Sequence, residues 1–147
     1  MGSFRDPALR DRALAYSLGP TVRPHEVFTI AEAALSRLEN REAVAAWAQK
    51  NHKAILDKIP PVYAPFVVYL GFACEQPALD RANSFYAAPE HSAPGMDVEL
   101  KKMLEAGGDC VKLRAREGPA VARFLTQTAQ GIGGAAPAAA SGVPRAR

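Results

Sequence analysis

Proline recurs at short intervals in this chain and divides most of it into segments with helical periodicity. Asp6 followed by Pro7 matches a helix N-cap with proline in the first turn, where the missing N–H costs nothing. Gly19 followed by Pro20 matches a left-handed cap and a helix breaker. Because such start and stop signals repeat, the sequence predicts consecutive helices joined by short turns.

Seven helices are predicted in this way, each with apolar side chains at three- and four-residue steps along one face. Their first residues or caps are Asp6, Pro24, Asn40, Pro65, Pro77, Asp97 and Pro119. The third helix, which Pro60 ends, is the longest and most regular. The residues predicted to face inward include Val27, Ala31, Leu35, Leu38, Val44, Ala48, Ile55, Ile59, Leu79, Ala82, Leu100, Met103, Leu104, Val111, Val121, Phe124 and Leu125.

Two of these segments need a further argument. The segment from Pro65 to Phe72 is rich in Val and Tyr and also fits a buried strand. Helix is preferred because nothing else in the chain supplies strand partners. Gly107 and Gly108 lie in the middle of the sixth helix, where each costs about 1 kcal/mol relative to alanine. Close packing against a neighbouring helix is the predicted reason for both glycines.

The predicted fold class is all-α, with a HEAT- or armadillo-like α-solenoid of antiparallel helix pairs. Residues 1–5 are predicted to be a disordered start, and residues 6–128 the helical-repeat domain. Residues 129–147 are rich in Gly, Ala and Pro. Because this segment has too little bulky apolar content to offset its ordering entropy, it is predicted to be a disordered C-terminal tail.

Charge and hydropathy argue against two classes of partner. The formal charge is +3, and Arg145 and Arg147 in the tail supply two of these charges. No basic stripe is interleaved with aromatic residues, so nucleic acid is not an expected partner. The longest strongly apolar stretch, Phe66–Cys74, is far shorter than the roughly 20 residues of a membrane span. No secretory signal is recognised either, so no membrane association and a cytoplasmic location are expected.

The two cysteines, Cys74 and Cys110, are too few for a disulfide framework. The favoured interpretation is that both are buried, small apolar side chains. A disulfide between them is the alternative.

No catalytic, cofactor-binding or metal-binding residue is predicted in this chain. His25 and Glu26 begin like the H-E-x-x-H helix of zinc peptidases, but Thr29 occupies the position of the second histidine. They are instead interpreted as a solvated histidine and a glutamate in the first turn of a helix. The chain has no G-x-S-x-G elbow, and Gly131–Gly134 follows no strand, so neither a serine nucleophile nor a nucleotide loop is expected.

The other histidines, His52 and His91, have no ligand-type residue at ligand spacing. Both are expected to be surface or half-buried side chains. Aromatic residues at helical spacing more often belong to a core than to a ligand platform. A core position is therefore predicted for Trp47, Tyr63, Tyr69, Phe72, Phe85 and Phe124.

Three stretches resemble helices of the gluzincin zinc aminopeptidases, the family of aminopeptidase N, puromycin-sensitive aminopeptidase and the endoplasmic reticulum aminopeptidases. They are Asn40–His52, Leu79–Ala87 and Leu100–Glu105, and their order and spacing agree with those of the family. The resemblance covers residues 6–126. Each stretch alone is ordinary helix-packing sequence, whereas their ordered succession is more specific.

The resemblance implies a position and a role rather than a reaction. The matching region of the family is the end of a C-terminal helical domain that curves over a thermolysin-like catalytic domain and closes a peptide-access chamber. The zinc ligands and the other catalytic groups of the family lie upstream, so no catalytic residue is carried over. His52 stands where the family often has tryptophan, and Tyr86 where it often has a second phenylalanine.

Three hypotheses about function follow. The first is a C-terminal helical domain or fragment of a zinc aminopeptidase, with the parent catalytic domain as its partner and a peptide as substrate. Zinc is then expected only in that catalytic domain, and no cofactor in this chain. The second is a free-standing helical-repeat module that binds a peptide or protein. The third is a small-molecule binder with a pocket between helices, for which no polar constellation argues.

Overall fold

A computed structural model of the chain describes residues 4–133. All regular structure over these residues is helical, which confirms the all-α prediction. The α-helices are α1 (Pro7–Ser17), α2 (Glu26–Leu35), α3 (Arg41–Lys50), α4 (His52–Lys58), α5 (Gln76–Tyr86) and α6 (Met96–Gly133). Three 3-10 segments, Leu38–Asn40, Pro61–Gly71 and Pro89–His91, lie between them.

The first helix begins where the sequence predicts and ends close to the predicted stop, but the left-handed cap predicted at Gly19 is wrong. The C-cap is Leu18 in the right-handed helical region, and the described glycine with a positive φ is Gly95. The carboxylate of Asp6 accepts a hydrogen bond from the Leu9 N–H at 2.9 Å, and Pro7 occupies the first helical position. At the other end, the Gly19 N–H donates to the carbonyl oxygen of Tyr16 at 2.8 Å. Both ends therefore satisfy backbone groups that a helix terminus leaves open.

The prediction of one continuous third helix is wrong, because the structure has two helices there, α3 and α4, with a break at Asn51. The Asn51 backbone has φ −107° and ψ 16°, outside the helical region. Its side-chain amide donates to the carbonyl oxygen of Trp47 at 2.8 Å. A short polar side chain that bonds the preceding turn competes with the helical backbone pattern, and this explains the break.

The segment from Pro61 to Gly71 is helical rather than extended, as predicted, but it is a 3-10 helix. Pro65 lies inside it and has no N–H to donate to a helical carbonyl. Val67 and Val68 are both fully buried. We refer to Pro61–Gly71 as the central 3-10 helix, because it packs against both α3 and α5.

Elements that follow one another in the chain pack together in space. The helix α1 packs on α2, α2 on α3, and α3 on the central 3-10 helix. Leu38, predicted to face inward, is instead 74% exposed. The side chains that form the core include Leu14, Val27, Ala31, Val44, Ile55, Val67, Leu70, Leu79, Tyr86 and Met103.

By residue contacts the chain divides into two units, Met1–Lys112 and Leu113–Arg147. The helix α6 runs through Pro119, so the prediction of a separate last helix that begins there is wrong. Val121, Phe124 and Leu125, predicted to face inward, are 53%, 65% and 59% exposed. At an exposed position water can bond the carbonyl that proline leaves without a donor, so a helix can pass through it.

The predicted tail, residues 129–147, lies mostly outside the described residues. The helix α6 includes residues 129–133, and residues 134–147 are outside the described range, as are residues 1–3 of the predicted start. Both disorder predictions therefore stay predictions.

Cys74 and Cys110 form a disulfide, with their Cα atoms 5.1 Å apart. The favoured interpretation of two separate, buried thiols is therefore wrong, and the alternative is correct. The sequence separation of 36 residues did not indicate this pairing, because α5 and the segments around it must first bring α6 back to Cys74.

The glycine pair in α6 divides into one packed residue and one free residue. A Cβ atom at Gly107 would lie 2.5 Å from Leu79 Cδ2 and 3.1 Å from the carbonyl oxygen of Ala73. The predicted close packing is therefore confirmed for Gly107. At Gly108 a Cβ atom would meet nothing within 4 Å, so the same prediction is wrong there.

The two glycines provide a matched pair of substitutions. We expect Gly107→Ala to lower the free energy of unfolding by about 1–3 kcal/mol, because the new methyl group overpacks against Leu79 and Ala73. Gly108→Ala should raise it by up to about 1 kcal/mol through helix propensity alone. Urea denaturation of both variants measures these changes. Equal effects of the same sign would contradict the close contact at Gly107.

Candidate functional site

A groove of about 560 Å³ lies within the unit Met1–Lys112. The end of α5, the segment that follows it and the first turns of α6 form its walls. The lining residues are Asn83, Tyr86, Ala87, Ser92, Asp97, Leu100, Lys101, Leu104 and Glu105. Its size is within the range of small-ligand sites, so it is the candidate functional site of the described residues.

The groove has an apolar floor and a charged rim. Tyr86 and Leu100 in the floor are buried. Along α6, Asp97, Lys101 and Glu105 follow one another at four-residue steps, are exposed, and therefore lie on one face of the helix. The rim thus presents negative, positive and negative charge in turn. This arrangement can hold an apolar side chain and pair with polar groups on either side of it, but it contains no nucleophile with an adjacent base.

A buried histidine from α4 lies behind the groove, against the side chain of Tyr86. His52 is 5% exposed, and its ring centroid is 5.7 Å from that of Tyr86 and 5.4 Å from that of His91. The ring of His91 stacks on Phe85 with the centroids 3.7 Å apart. The expectation that His52 is at or near the surface is therefore wrong, and the two histidines form one cluster with Phe85 and Tyr86.

Two hydrogen bonds fix the tautomers of this cluster. His52 Nε2 lies 2.8 Å from the carbonyl oxygen of His91, and His91 Nδ1 lies 2.9 Å from the carbonyl oxygen of Phe85. Because a carbonyl only accepts, each of these nitrogens carries the proton and donates. His52 Nδ1 then has no hydrogen-bond partner among the described residues. The cluster therefore ties the segment after α5 to α4 through a neutral His52.

Burial lowers the pKa of His52 below its ordinary value of 6.5. The hydrogen bond to the His91 carbonyl acts in the opposite direction, and the nearby His91 ring lowers the pKa further. Desolvation disfavours the charged imidazolium, which would also need an acceptor for a second N–H. His52 is thus neutral at pH 7.

Tyr86 combines a floor position with a buried hydroxyl group. The hydroxyl oxygen has no hydrogen-bond partner among the described residues, and burial raises the pKa of this phenol. A Cβ atom at Gly71 would lie 3.1 Å from Tyr86 Cε2 and 3.1 Å from Ala82 Cβ. The aromatic ring therefore packs directly on the backbone of the central 3-10 helix, which holds the floor of the groove in place.

A second polar cluster links α6 to the central 3-10 helix. The Tyr69 hydroxyl donates to Glu99 Oε2 at 2.9 Å, and the Lys102 ammonium donates to Glu99 Oε1 at 2.7 Å. The hydrogen bonds from Lys102 and then from Tyr69 lower the pKa of the Glu99 carboxyl group. Because Lys102 is exposed to solvent, we assign the pair an orienting role and little net stability.

The structure brings together few of the residues considered as ligands or catalysts. His25 is exposed, and Glu26, the first residue of α2, accepts a hydrogen bond from the Arg23 backbone N–H at 2.9 Å, so its side chain closes the turn before the helix. Within residues 4–133 no group of three or more His, Cys, Asp or Glu side chains could hold a metal ion. The prediction of a core position is wrong for the aromatic residues Tyr63 and Phe124, which are 41% and 65% exposed.

Sequence reasoning missed the histidine cluster, although one signal was present. His52 occupies a position that is often tryptophan in the family that the chain resembles. A large ring at this position is expected to be buried, and a buried histidine needs a hydrogen-bond partner. The partner is a backbone carbonyl 39 residues away, which no spacing rule identifies.

Across the described residues, no helix combines the length and the apolar character that crossing a bilayer requires.

Comparison with known proteins gives one relative. A protein of Saccharomyces cerevisiae named Aminopeptidase 2, mitochondrial, is 27% identical to this chain over 109 residues. The matched part is 71% of this chain and 11% of the relative, so the chain spans about a tenth of the length of that protein. No protein-family model matches the chain, and no solved structure matches it. The chain is therefore similar to an aminopeptidase over most of its length.

The pKa of His52 predicts how the stability of the fold depends on pH. Since the pKa is lower in the folded chain than the ordinary value near 6.5, the unfolded chain binds more protons between the two pKa values. The contribution of His52 to the free energy of unfolding is therefore fully present above about pH 6.5. It is lost as the pH falls from 6.5 to the lower pKa of the folded chain. The loss is about 1.4 kcal/mol for each unit of difference between the two pKa values.

Urea denaturation of the wild type and of His52→Gln between pH 5 and pH 8 measures this loss. We expect a smaller acid-induced loss of unfolding free energy in His52→Gln than in the wild type. His25→Gln, at an exposed histidine, is the matched control and should follow the wild type. Identical pH profiles for all three proteins would contradict a buried, neutral His52.

Proposed function

We propose that this chain serves as the C-terminal helical part of a zinc aminopeptidase, where it shapes peptide access and supports a separate catalytic domain. The observation that carries the proposal is the 27% identity over 109 residues to a yeast protein named as an aminopeptidase. The three sequence stretches that resemble zinc aminopeptidases point to the same family of proteins.

The positions of these three stretches agree with a common packing role. His52, at the end of the first stretch, contacts Phe85 of the second with their ring centroids 5.4 Å apart. Tyr86 of the second stretch lines the groove together with Leu100 and Leu104 of the third. Because the three stretches contact one another in one packed unit, we expect them to occur together in a larger protein that contains this domain.

The role in this proposal is structural. We place the zinc ion in the catalytic domain because the resemblance implies its ligands there; no three metal-ligating side chains lie together among the described residues. We assign the packing of α1, α2 and α3 in succession to a HEAT- or armadillo-like arrangement of helix pairs. A face of such an array next to a catalytic domain would limit the size and direction of an entering peptide.

A free-standing binding module is the second candidate, and the groove favours it. The apolar floor with Asp97, Lys101 and Glu105 on its rim suits a peptide that inserts one apolar side chain between polar neighbours. Binding of this kind would need no catalytic domain. The two candidates therefore differ in what else must be attached to the chain.

An antibody raised against the purified chain distinguishes the two. From cells that express the native gene, we expect it to detect a polypeptide several times larger than 15.7 kDa. The precipitate should release 4-nitroaniline from leucine 4-nitroanilide, and a zinc chelator should abolish this activity. Addition of excess purified chain during precipitation is the control, since it should remove both the band and the activity.

A band near 15.7 kDa with no aminopeptidase activity in the precipitate would overturn the first proposal and favour the binding module. Hydrolysis by the purified chain alone, with or without added zinc, would overturn the assignment of a structural role.

A further inference from the structure

We propose that the groove between α5 and α6 is a docking site for an amphipathic α-helix of a partner protein. The partner helix has apolar side chains that contact the floor, and positive, negative and positive side chains at positions i, i+4 and i+8. The inference deepens the second candidate function and rests on it, since it names the kind of peptide that the groove binds.

The three charged side chains on the rim are available to a partner. Asp97, Lys101 and Glu105 are exposed, and none of them forms a side-chain hydrogen bond or ion pair within the described part of the chain. The lining residues of the opposite wall, which lie between Asn83 and Ser92, are uncharged. The charge pattern that a partner must match is therefore set by α6 alone.

The positions of the floor and the rim on α6 favour a helical partner. Successive residues of an α-helix are about 100° apart, so Leu100 and Leu104 in the floor lie about 80° around α6 from the charged face. A partner helix can likewise place apolar and charged side chains on adjacent faces. In an extended strand, successive side chains point to opposite sides. Charged residues on the rim would then direct the apolar ones away from the floor.

The spacing of the rim charges sets the register of the partner. Residues four apart on an α-helix are about 6 Å apart along its axis, so the rim spans about 12 Å from Asp97 to Glu105. A partner helix has the same repeat and can pair with all three charges at once. Negative, positive and negative charge reads the same in both directions, so the charges fix the register but not the direction of the partner.

A second copy of this chain is a poorer occupant. If α6 of another copy lay along the rim with its charges in register, each charge would face a charge of the same sign. Like charges at such positions are destabilising. Charge complementarity therefore favours a different protein, with the opposite order of charges.

Two synthetic peptides with the same apolar face test this charge pattern. Each has about 15 residues and a covalent staple on its outward face, because short isolated helices are marginal in water. One has Lys, Glu and Lys at i, i+4 and i+8, and the other has Glu, Lys and Glu. Outward charges make both peptides neutral, since the chain has a formal charge of +3. Fluorescence anisotropy with the purified full chain measures each Kd.

We expect the wild-type chain to bind the Lys–Glu–Lys peptide about tenfold more tightly at low ionic strength, since each exposed ion pair contributes modestly. High salt should reduce this ratio by screening. A variant with Asp97→Lys, Lys101→Glu and Glu105→Lys should prefer the Glu–Lys–Glu peptide instead, and circular dichroism checks that it folds. Equal affinity of the wild type for both peptides, or no reversal in the folded variant, would contradict the proposal.

A bulky side chain in the opposite wall tests the location of the contact. Asn83→Trp should weaken binding of the Lys–Glu–Lys peptide about tenfold or more, because the indole ring occupies space that the apolar side chains need. Ser84→Trp is the matched control, since Ser84 is exposed on the same helix but does not line the groove. Unchanged binding in folded Asn83→Trp would place the contact elsewhere and overturn the proposal.

Other occupants of the groove give different results. Equal affinity for an unstapled peptide with prolines in place of outward residues would assign the groove to an extended peptide. Dimerisation in sedimentation equilibrium that Asn83→Trp abolishes would assign it to a second copy. Either result, or no binding of the stapled peptides up to about 1 mM, would overturn the docked helix. None of them changes the size or activity of the polypeptide that the antibody detects, so this inference and the aminopeptidase proposal fail separately.

Discussion

Gly107 lets the backbone of α6 approach Leu79 of α5 and the Ala73 carbonyl more closely than any other residue type would allow. Two features lie next to this approach. Cys110 lies three residues further along α6 and reaches Cys74 from there. On the preceding turns, Leu100 and Leu104 face Tyr86 across the groove. A methyl group at Gly107 would therefore disturb the packing beside both features.

The groove formed by the same two helices has polar and apolar surfaces in separate layers. Before Gly107 in the chain, a gap lies between the end of α5 and the earlier turns of α6, and this gap is the groove. Apolar side chains line the bottom of this gap, and the charged face of α6 lines its edge. Behind it, the bond from His52 to the His91 carbonyl holds the segment after α5 against α4. The groove is therefore formed by α5 and α6 together with the segment that follows α5.

The sequence predicted the helical class and most helix starts, because caps and prolines act locally. Asp6 and Pro7 specify the start of α1 without help from the rest of the chain. Some failures are also local, such as the break at Asn51, but two of them involve contacts between residues far apart in sequence. The disulfide joins residues 36 apart, and the His52 bond joins residues 39 apart. Neither periodicity nor spacing contains that information, which appears only once the helices pack.

The central 3-10 helix has a further consequence for how the chain tolerates mutation. With three residues per turn, side chains three apart lie in one column, and Ala64, Val67 and Leu70 form such a buried column. In an α-helix the same residues would fan out by about 60° at each step. A change to an α-helix would thus expose part of the column, so burial of these side chains favours the 3-10 conformation. Substitutions that preserve side-chain volume are therefore expected to be tolerated in this column. An inserted residue would shift every later side chain out of it.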